Sequence, residues 1–319
     1  MIRYDHPEVF GAGAANFDIN CVEKEPPLVM KDSNLVGMLT SSGGVTRNII
    51  ENLARLGVKA AMLTAYGDDA YGDRIRKDGE AAGIDLSRVK LCRGCISSCY
   101  VSVQDADGDM ALGLADMSVL SNLDNAYFDS YKGEVSRAKA AVCDPSLPLP
   151  LLEHYIFDTA AGCPVFLDPV STNFARQCVP LLKGVDTFKP NIMELETVTG
   201  ISASTDEGLE EACRKAISLG VRRVVVSRGK KGCFMMDNTG KIIKRKFKPV
   251  EKMVNATGAG DSFMAGLIYG FINGFDDDKS LDYALAMGII AVLSEHTIDP
   301  GLNVEKVERC IKEYRTTDA

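Results

Sequence analysis

The chain alternates short apolar runs with amphipathic helical runs over most of its length. Runs typical of strands lie at 9–15, 60–64, 140–144, 165–168, 187–189 and 223–227. Between the first two runs, apolar residues recur every three or four positions until Gly57, as in an amphipathic helix that ends at a glycine. Strands that alternate with helices form parallel sheets covered by helices on both faces. The sequence therefore predicts an α/β fold with three layers, α/β/α, around a mostly parallel central sheet.

A β-hairpin interrupts this alternation. Residues 105–108, Asp-Ala-Asp-Gly, separate two strand-like runs at 97–104 and 109–114, and Asp-Gly between such runs is a strong turn signal. Together with a run at 35–40, they are predicted to form a small antiparallel sheet. This sheet would be a lid, formed by about 33–42 and 97–116, on one domain that spans 1–319. Because the edges of a small sheet need covering, we expect a homodimer joined through the lid.

Charge and hydropathy narrow the classes of partner. The formal net charge is −8, whereas duplex nucleic-acid binders usually carry a basic patch. The basic stretch at 241–248 alternates with apolar residues, so it is better explained as a strand in a hairpin with 232–237. No apolar run reaches the length of a transmembrane helix, and the N-terminus does not resemble a signal peptide. We expect a cytoplasmic protein with no nucleic-acid and no membrane partner.

The ten cysteines do not form a recognisable metal-binding pattern. Cys92 and Cys95 have the spacing of a zinc-binding pair, and Cys99 follows them. A structural zinc site needs four ligands, but the sequence has no second pair of this kind and only isolated histidines. We interpret the three cysteines as reduced side chains around a turn and a strand.

The segment 255–266 carries the pattern with the most chemical content. Gly258 and Gly260 precede a strongly apolar helical run, so backbone N–H groups can converge there at a helix N-terminus. Such a cradle stabilises the charge on a phosphoryl group, and a carboxylate at its mouth, Asp261, can accept the proton of an attacking hydroxyl. On this segment alone, Asp261 could equally be a helix N-cap. The segment is not a Walker A motif, and 11–13 lacks the third glycine of a Rossmann fingerprint.

Two signatures far apart in the chain are more specific than this segment alone. Residues 255–266 resemble the C-terminal signature of the ribokinase-like (PfkB-type) carbohydrate kinases, and residues 42–57 resemble the N-terminal signature. Three shorter stretches, 13–18, 189–194 and 227–232, are similar to the family's first strand, its K-P-N-x-x-E motif and its nucleotide-binding loop. The resemblance covers essentially the whole chain. It implies a ribokinase-like fold, ATP and Mg²⁺ as cofactors, and phosphoryl transfer to a hydroxyl group.

The resemblance also implies roles at the point of phosphoryl transfer. Asp261 would be the catalytic base, and the N–H groups of Gly258, Ala259 and Gly260 would stabilise the transferring phosphoryl group. Lys189 could instead be a plain surface lysine before a turn.

A further group of residues would hold the nucleotide and its metal ion. Asn191 and Glu194, three residues apart at a helix start, would orient Mg²⁺ through water. Their structural alternative is a helix start with a surface acid. The resemblance implies that the cofactor-binding residues are Asn191, Ser227, Gly229, Gly232 and Thr257.

For the acceptor, the resemblance implies contacts from the first strand, the double glycine and the lid. Asp18 can accept two hydrogen bonds from vicinal hydroxyls. Asn48 also fits a capping role, Asp168 also fits a turn after a strand, and Arg47 could face solvent. The expected acceptor-binding residues are Asn16, Asp18, Gly43, Gly44, Asn48, Ser98, Tyr100 and Asp168.

Within the family, four stretches are most similar to the kinases of the nucleoside pseudouridine: 44–48, 97–100, 189–200 and 255–261. This similarity implies phosphorylation of the 5′-hydroxyl of pseudouridine. Asn255 stands where the wider family usually has aspartate, which leaves dependence on a monovalent cation such as K⁺ open. The sequence also leaves open another acceptor (ribose, adenosine or uridine) and a non-catalytic protein that binds a nucleoside as a sensor.

Overall fold

The computed structural model describes residues 2–24, 27–105 and 110–316. An eight-stranded sheet lies between two layers of helices, and a separate four-stranded sheet forms the lid. The predicted three-layer α/β/α fold is confirmed. No helix in these ranges is long and apolar enough to cross a membrane.

Fourteen strands lie within the described ranges. In chain order they are β1 Val9–Ala12, β2 Asn16–Glu23, β3 Val36–Gly43, β4 Ala60–Leu63, β5 Ala65–Gly67, β6 Lys90–Cys92, β7 Cys99–Gln104, β8 Met110–Asp116, β9 Ala140–Cys143, β10 Val165–Leu167, β11 Thr187–Phe188, β12 Arg223–Ser227, β13 Cys233–Asp237 and β14 Ile242–Arg245. The central sheet has the order β14-β13-β12-β11-β10-β9-β1-β4. Its strands are parallel except β13 and β14, which form the predicted hairpin at one edge.

Eleven α-helices are found in the same ranges. They are α1 Val45–Arg55, α2 Ala70–Ala81, α3 Asn125–Asp129, α4 Lys132–Val135, α5 Leu149–His154, α6 Thr172–Ala175, α7 Ile192–Thr199, α8 Asp206–Ser218, α9 Ala259–Ile272, α10 Asp277–Leu293 and α11 Val304–Tyr314. A π-helical turn at Tyr155–Thr159 follows α5, and a 3₁₀ segment at Arg176–Gly184 follows α6. The first two and the last three match helical patterns that the sequence shows after 44, near 71–82, after 262, at 281–295 and at 304–314. The short helices between 125 and 184 have too few turns to show a periodic pattern.

The central strands are buried on both faces, which explains their continuous apolar composition. In β1, Phe10 and Ala12 pack into the helical layer that contains α8, and Val9 packs into the layer that contains α9 and α10. The predicted strand at 9–15 ends earlier, at Ala12. The backbone bends at Gly13, which lies against Thr46: a Cβ at Gly13 would be 2.6 Å from the Thr46 Oγ1.

The lid differs from its prediction in composition and in pairing. Its order is β3-β2-β7-β8, so it includes β2, which directly follows β1 and which the sequence pattern merged with the first strand. The β2–β7 pair is parallel and the other two pairs are antiparallel, so the lid is a mixed sheet. The predicted hairpin is confirmed by the β7–β8 pairing, although its turn at 106–108 lies outside the described residues.

The ten cysteines are all reduced in the structure. Cys92 ends β6, and the turn that follows brings the backbone N–H of Cys95 to the Cys92 carbonyl at 3.3 Å. Cys99 begins β7. These three cysteines therefore lie in the short connection that leads from the central body into the lid.

The start of α1 is fixed from outside the helix. Its N-cap, Gly44, has no side chain, and the role passes to Asp144, the residue after β9. The Asp144 Oδ2 accepts hydrogen bonds from the Thr46 backbone N at 2.9 Å and from the Thr46 Oγ1 at 2.6 Å. A carboxylate here also complements the positive end of the helix dipole.

Gly44 is held in a conformation that other residues rarely adopt. Its φ is +100°, and a Cβ there would collide with the Ala14 carbonyl oxygen. Gly57, at the other end of α1, has a φ of +84°, but a Cβ there would meet no described atom within 4 Å.

We expect Gly44→Ala to lower the free energy of unfolding by about 3 kcal/mol or more, because left-handed strain and a backbone collision add. Gly57→Ala is the matched control and should cost only about 1 kcal/mol from strain alone. Urea unfolding of both variants measures the difference. Equal losses in the two variants would contradict the close approach of Gly44 to Ala14.

Candidate active site

Asp261 lies in the first turn of α9, at the carboxyl edge of the central sheet. The N-cap of α9 is Gly258, with a φ of +79°, and no side chain of the described residues caps this end. The alternative interpretation of Asp261 as an N-cap is therefore wrong. The free N–H groups of the first turn remain available to an anion. A Cβ at Gly258 would collide with the Thr297 carbonyl oxygen, so this tight entry requires glycine.

The carboxyl of Asp261 is held on one side by Asn48. The Asn48 Nδ2 donates to the Asp261 Oδ2 at 2.8 Å. Asn48 lies one turn into α1 and is not a cap, which was its alternative role. Burial raises the pKa of Asp261 to about 7, and nearby Asp168 contributes to the rise, while Asn48 and Lys189 oppose it. A carboxyl group with this pKa can both take up and release a proton near neutral pH.

Lys189 is a buried part of the site, so its alternative as a surface lysine is wrong. Its Nζ pairs with the Asp168 Oδ2 at 2.6 Å and also donates to the Gly260 carbonyl at 3.3 Å. Burial alone would lower the pKa of Lys189, but the Asp168 carboxylate outweighs burial and raises it. The lysine is therefore a fixed positive charge directly behind the glycine cradle.

Asp168 is occupied by protein partners. Its Oδ2 pairs with Lys189, and its Oδ1 accepts a hydrogen bond from the Val170 backbone N at 2.9 Å. The second contact forms the turn after the strand that was the alternative to acceptor binding. The structure brings Asp168 near Asp261 through Lys189. Contact between Asp168 and the acceptor stays a prediction.

Asp18 projects from β2 over the double glycine. A Cβ at Gly43 would collide with the Asp18 carboxylate, so only glycine lets the two strands meet in this way. Burial raises the pKa of Asp18 to about 6, and the Arg47 charge opposes that shift. The Asp18 Oδ1 is buried and has no hydrogen-bond partner among the described residues. A buried acceptor atom without a partner is suited to a ligand hydroxyl.

Three further predicted acceptor residues surround Asp18. Asn16 and Ser98 are buried, and within the described ranges the Asn16 Oδ1 and the Ser98 Oγ have no partner. Tyr100 pairs in register with Asp18 across β2 and β7, so both side chains lie on one face of the lid. The structure therefore gathers the predicted acceptor residues from the first strand and the lid into one place.

A cavity of about 300 Å³ lies next to the glycine cradle. Its lining includes Ser227, Gly229 and Gly232 together with apolar side chains such as Val250 and Ile289. A lining that combines glycine backbone and polar groups with apolar side chains suits the phosphates and the base of a nucleotide. Its complete lining is Ser227, Gly229, Lys230, Gly232, Phe247, Lys248, Pro249, Val250, Met253, Ala259, Gly260, Phe263, Leu285, Gly288, Ile289 and Val292.

Asn191 and Glu194 form a capping box at the start of α7. The Asn191 Oδ1 accepts from the Glu194 N at 2.9 Å, and the Glu194 Oε2 accepts from the Asn191 N at 2.8 Å. Glu194 is buried, and burial raises its pKa, so it is not the surface acid of the structural alternative. Asn191 also forms a bridge with Ser227, which lies in the nucleotide cavity.

The donor set fits a magnesium ion that shares its ligands with phosphate. In the part of the chain that the structure describes, no group of three or more His, Cys, Asp or Glu side chains could hold a metal alone. Mg²⁺ is usually bound by one or two carboxylates together with water and phosphate oxygens. The second carboxylate oxygen of Glu194 is compatible with that mode.

Thr257 lies apart from the cavity that its predicted role would need. It is exposed, it is not part of the cavity lining, and its backbone N donates to the Asn255 Oδ1 at 2.9 Å. Its contact with the cofactor stays a prediction.

Sequence reasoning gave no role to four residues near the site. Arg47 and Lys230 lie inside the motif stretches, whereas Lys248 and Asp144, which fixes α1, lie between them. Asp144 directly follows β9, as Asp168 follows β10, so its position at the carboxyl end of a predicted strand was the signal available. The apolar wall of the nucleotide cavity comes from helix positions that look like ordinary core, and no sequence signal distinguishes them.

Comparison with known proteins agrees with this geometry. Residues 8–303 match the family described as pfkB family carbohydrate kinase. The chain is 33% identical over 299 residues to pseudouridine kinase of Escherichia coli (strain K12), which covers 92% of this chain and 93% of that protein. It is 26% identical over 292 residues to ribokinase of Arabidopsis thaliana, covering 90% and 76%. The structure of Arabidopsis thaliana ribokinase complexed with ribose and ATP superposes with a TM-score of 0.80 at 24% identity, covering 96% and 99%.

The fold and the site define a ribokinase-like phosphotransferase. The chain belongs to the PfkB family of carbohydrate kinases. It is thus an ATP-dependent kinase with an alcohol group as acceptor, from a family that uses ATP with Mg²⁺ and typically acts on sugars or nucleosides.

The raised pKa of Asp261 predicts a pH-dependent effect on stability. A carboxyl with a raised folded-state pKa loses stabilisation as pH increases from its unfolded value toward about 7. Replacing it with a neutral amide removes that loss. We expect the melting temperature of Asp261→Asn to be slightly above that of the wild type at pH 5. At pH 8 it should be above the wild-type value by on the order of 3 °C.

Differential scanning fluorimetry at both pH values measures this shift. Asp116→Asn is the control, because a hydrogen bond from the Ser118 backbone N lowers the pKa of Asp116. The difference in melting temperature between Asp116→Asn and the wild type should be the same at pH 5 and at pH 8. A flat difference for Asp261→Asn as well would show that Asp261 is not perturbed.

Proposed function

We propose that this kinase phosphorylates the 5′-hydroxyl of pseudouridine and that Asp261 is its catalytic base. The observation that supports the substrate most is the 33% identity to pseudouridine kinase over 92% of this chain. Ribokinase is matched at lower identity. The geometry supports the base assignment, because Asp261 lies at the mouth of the glycine cradle between the nucleotide cavity and the acceptor residues.

The proposed chemistry needs one proton acceptor and one anion site. The acceptor hydroxyl donates its proton to the Asp261 carboxylate as its oxygen attacks, and Asp18 and Asn16 orient the ribose by accepting from its other hydroxyls. Bound ATP with Mg²⁺ supplies the phosphoryl group. The N–H groups of Ala259 and Gly260 stabilise the negative charge that develops on it.

Lys189 supports the same anion site from behind. Its ammonium is fixed 3.3 Å from the Gly260 carbonyl and is neutralised only by Asp168 in the contacts described above. A fixed cation near the cradle lowers the cost of bringing a phosphoryl group against it. Glu194 would hold the metal ion through water.

The nucleobase would be read by the polar face of the lid. The Ser98 hydroxyl and the Tyr100 ring lie on the acceptor side with Asp18, and Ser102 donates to the Asn20 Oδ1 at 2.6 Å on the next row. Pseudouridine offers one more ring N–H than uridine. Free acceptor atoms in this area, such as the Ser98 Oγ, are suited to that additional donor.

The test is an assay of ADP release with ATP and Mg²⁺ against pseudouridine, uridine, ribose, adenosine and fructose. We expect the highest kcat/KM for pseudouridine, with the phosphate on the 5′-oxygen of the product. Asp261→Asn is the negative control: it should still bind ATP but lose about 10²-fold or more in kcat, because the base is absent.

The outcomes separate substrate from mechanism. A higher kcat/KM for another acceptor would reject pseudouridine and keep the kinase chemistry. Retained turnover in Asp261→Asn would reject the base assignment. Binding of pseudouridine by the wild type without turnover of any acceptor would favour the nucleoside sensor instead.

We further propose that two copies of the chain associate through the lid. One face of the lid carries two rows of mostly apolar side chains across its four strands: Met38, Cys21, Val103 and Leu112 in one row, and Thr40, Ile19, Val101 and Leu114 in the other. Met38, Leu112 and Leu114 are 61%, 45% and 54% exposed. This face lies opposite Asp18 and Tyr100, so a second lid could cover it without obstructing the acceptor site.

Sedimentation velocity tests the association. We expect the wild type to sediment at twice the mass of one chain and Leu114→Glu to sediment as a single chain, because a charge would be buried at the interface. Leu91→Glu is the control, since Leu91 is 53% exposed but lies on β6, outside the lid. A wild type of single-chain mass, or an unchanged dimer in Leu114→Glu, would reject the lid interface.

A further inference from the structure

Arg47 is a buried charge beside the catalytic centre that none of the roles above uses. It precedes Asn48 on α1, and its side chain is only 4% exposed. The expectation that Arg47 could face solvent is therefore wrong. A guanidinium that is removed from water must be held by acceptors inside the protein, so its partners define what it does.

Three acceptors hold the Arg47 guanidinium. Its Nη2 pairs with the Glu51 Oε2 at 2.5 Å, one helical turn later. Its Nη1 donates to the Ser42 carbonyl and to the Asn48 Oδ1, both at 3.3 Å. Glu51 on α1 and the Ser42 carbonyl at the end of β3 thus fix the guanidinium, whose Nη1 faces the Asn48 amide.

The Asn48 amide has different groups at its two ends, and this decides its orientation. A guanidinium can only donate, so it requires the amide oxygen, whereas the Asp261 carboxylate can only accept, so it requires the amide NH₂. A rotated amide would put donor against donor at Arg47 and acceptor against acceptor at Asp261. Both ends therefore favour the same rotamer.

We infer that Arg47 is a positioning residue for phosphoryl transfer: it fixes the Asn48 amide, which in turn holds the Oδ2 of Asp261. The Oδ1 of Asp261 is then left to take the proton of the acceptor hydroxyl. This role rests on the proposed function of Asp261 as the base. Arg47 itself touches neither reacting group in this arrangement.

The same guanidinium connects the catalytic centre to the lid. The Ser42 carbonyl that it holds belongs to β3, just before the double glycine, and the Ser42 Oγ donates to the Asp78 Oδ2 of α2 at 2.8 Å. The end of this lid strand is therefore fixed by the cation that also orients Asn48. Arg47 therefore contacts both the end of a lid strand and the residue that orients the base.

A double-mutant cycle between Arg47 and Asn48 tests the inference. Arg47→Met, Asn48→Ala and the double variant are assayed with saturating amounts of the acceptor that the wild type phosphorylates best, whichever it is. We expect Arg47→Met to lower kcat about 10-fold with the KM for ATP unchanged, because a misoriented base reacts more slowly. In the Asn48→Ala background, the same substitution should change kcat less than about 2-fold.

Arg55→Met is the matched control. Arg55 lies on the same helix and pairs with the same partner, Glu51, at 2.6 Å, but it has no contact with Asn48 among the described hydrogen bonds. After Arg47→Met, Glu51 still keeps Arg55, so its charge is not left without a partner. We expect Arg55→Met to change kcat less than about 2-fold.

Two results would overturn the inference. One is an equal loss of kcat from Arg47→Met in both backgrounds, and the other is an equal loss in Arg55→Met, since either would mean a general structural role. If Arg47→Met does not melt cooperatively, Arg47→Lys takes its place in the cycle, because one ammonium cannot reproduce the fork that spans Glu51 and Asn48. The cycle tests only the positioning role of Arg47. The Asp261→Asn variant separately tests whether Asp261 is the base.

Discussion

The catalytic geometry depends on how Asp144 fixes the first turn of α1. The helix begins at Gly44, which has no side chain to cap it. The capping group is the carboxyl of Asp144, the residue after β9, with its Oδ2 2.6 Å from the Thr46 Oγ1. This contact ties α1 to the carboxyl edge of the central sheet. Asn48 lies half a turn later, and therefore reaches Asp261 at the start of α9. A second link, from Ser262 to Asn52 at 3.2 Å, keeps the two helices aligned one turn further on.

The buried charges of the site differ in how strongly partners hold them. Lys189 pairs with Asp168, Arg47 pairs with Glu51, and hydrogen bonds from Thr46 and Ser146 hold Asp144. Among the described residues, Asp261 has one amide donor and no ion pair of its own. Burial raises the pKa of Asp261 to about 7, because desolvation of its carboxyl group outweighs the hydrogen bond from Asn48.

How much could be predicted from the sequence depended on whether a feature is local. The parallel strands, most of the longer helices and the glycine-rich start of α9 are contiguous patterns, and the structure has these elements where they were predicted. The lid strand β2 was missed because it follows β1 after a short bend at Gly13, and no local signal marks that bend. From the sequence, Lys189 and Arg47 could each be surface residues, because charged side chains usually lie at the surface. Their burial follows from partners such as Asp168, which lies close only after folding.

The lid shows how one short sheet can serve two surfaces with different chemistry. Because successive side chains alternate across a strand, β2 directs Asp18 and Asn20 to one face and Ile19 and Cys21 to the other. A shift of one residue in the β2–β7 register would exchange the polar and apolar faces and remove Asp18 from the acceptor site. Gly43, on the neighbouring strand β3, is needed for the same arrangement, since the Asp18 carboxylate occupies the space that any larger side chain there would fill. The acceptor site and the apolar face therefore depend on one strand register, and the position of Asp18 within it also requires a glycine at position 43.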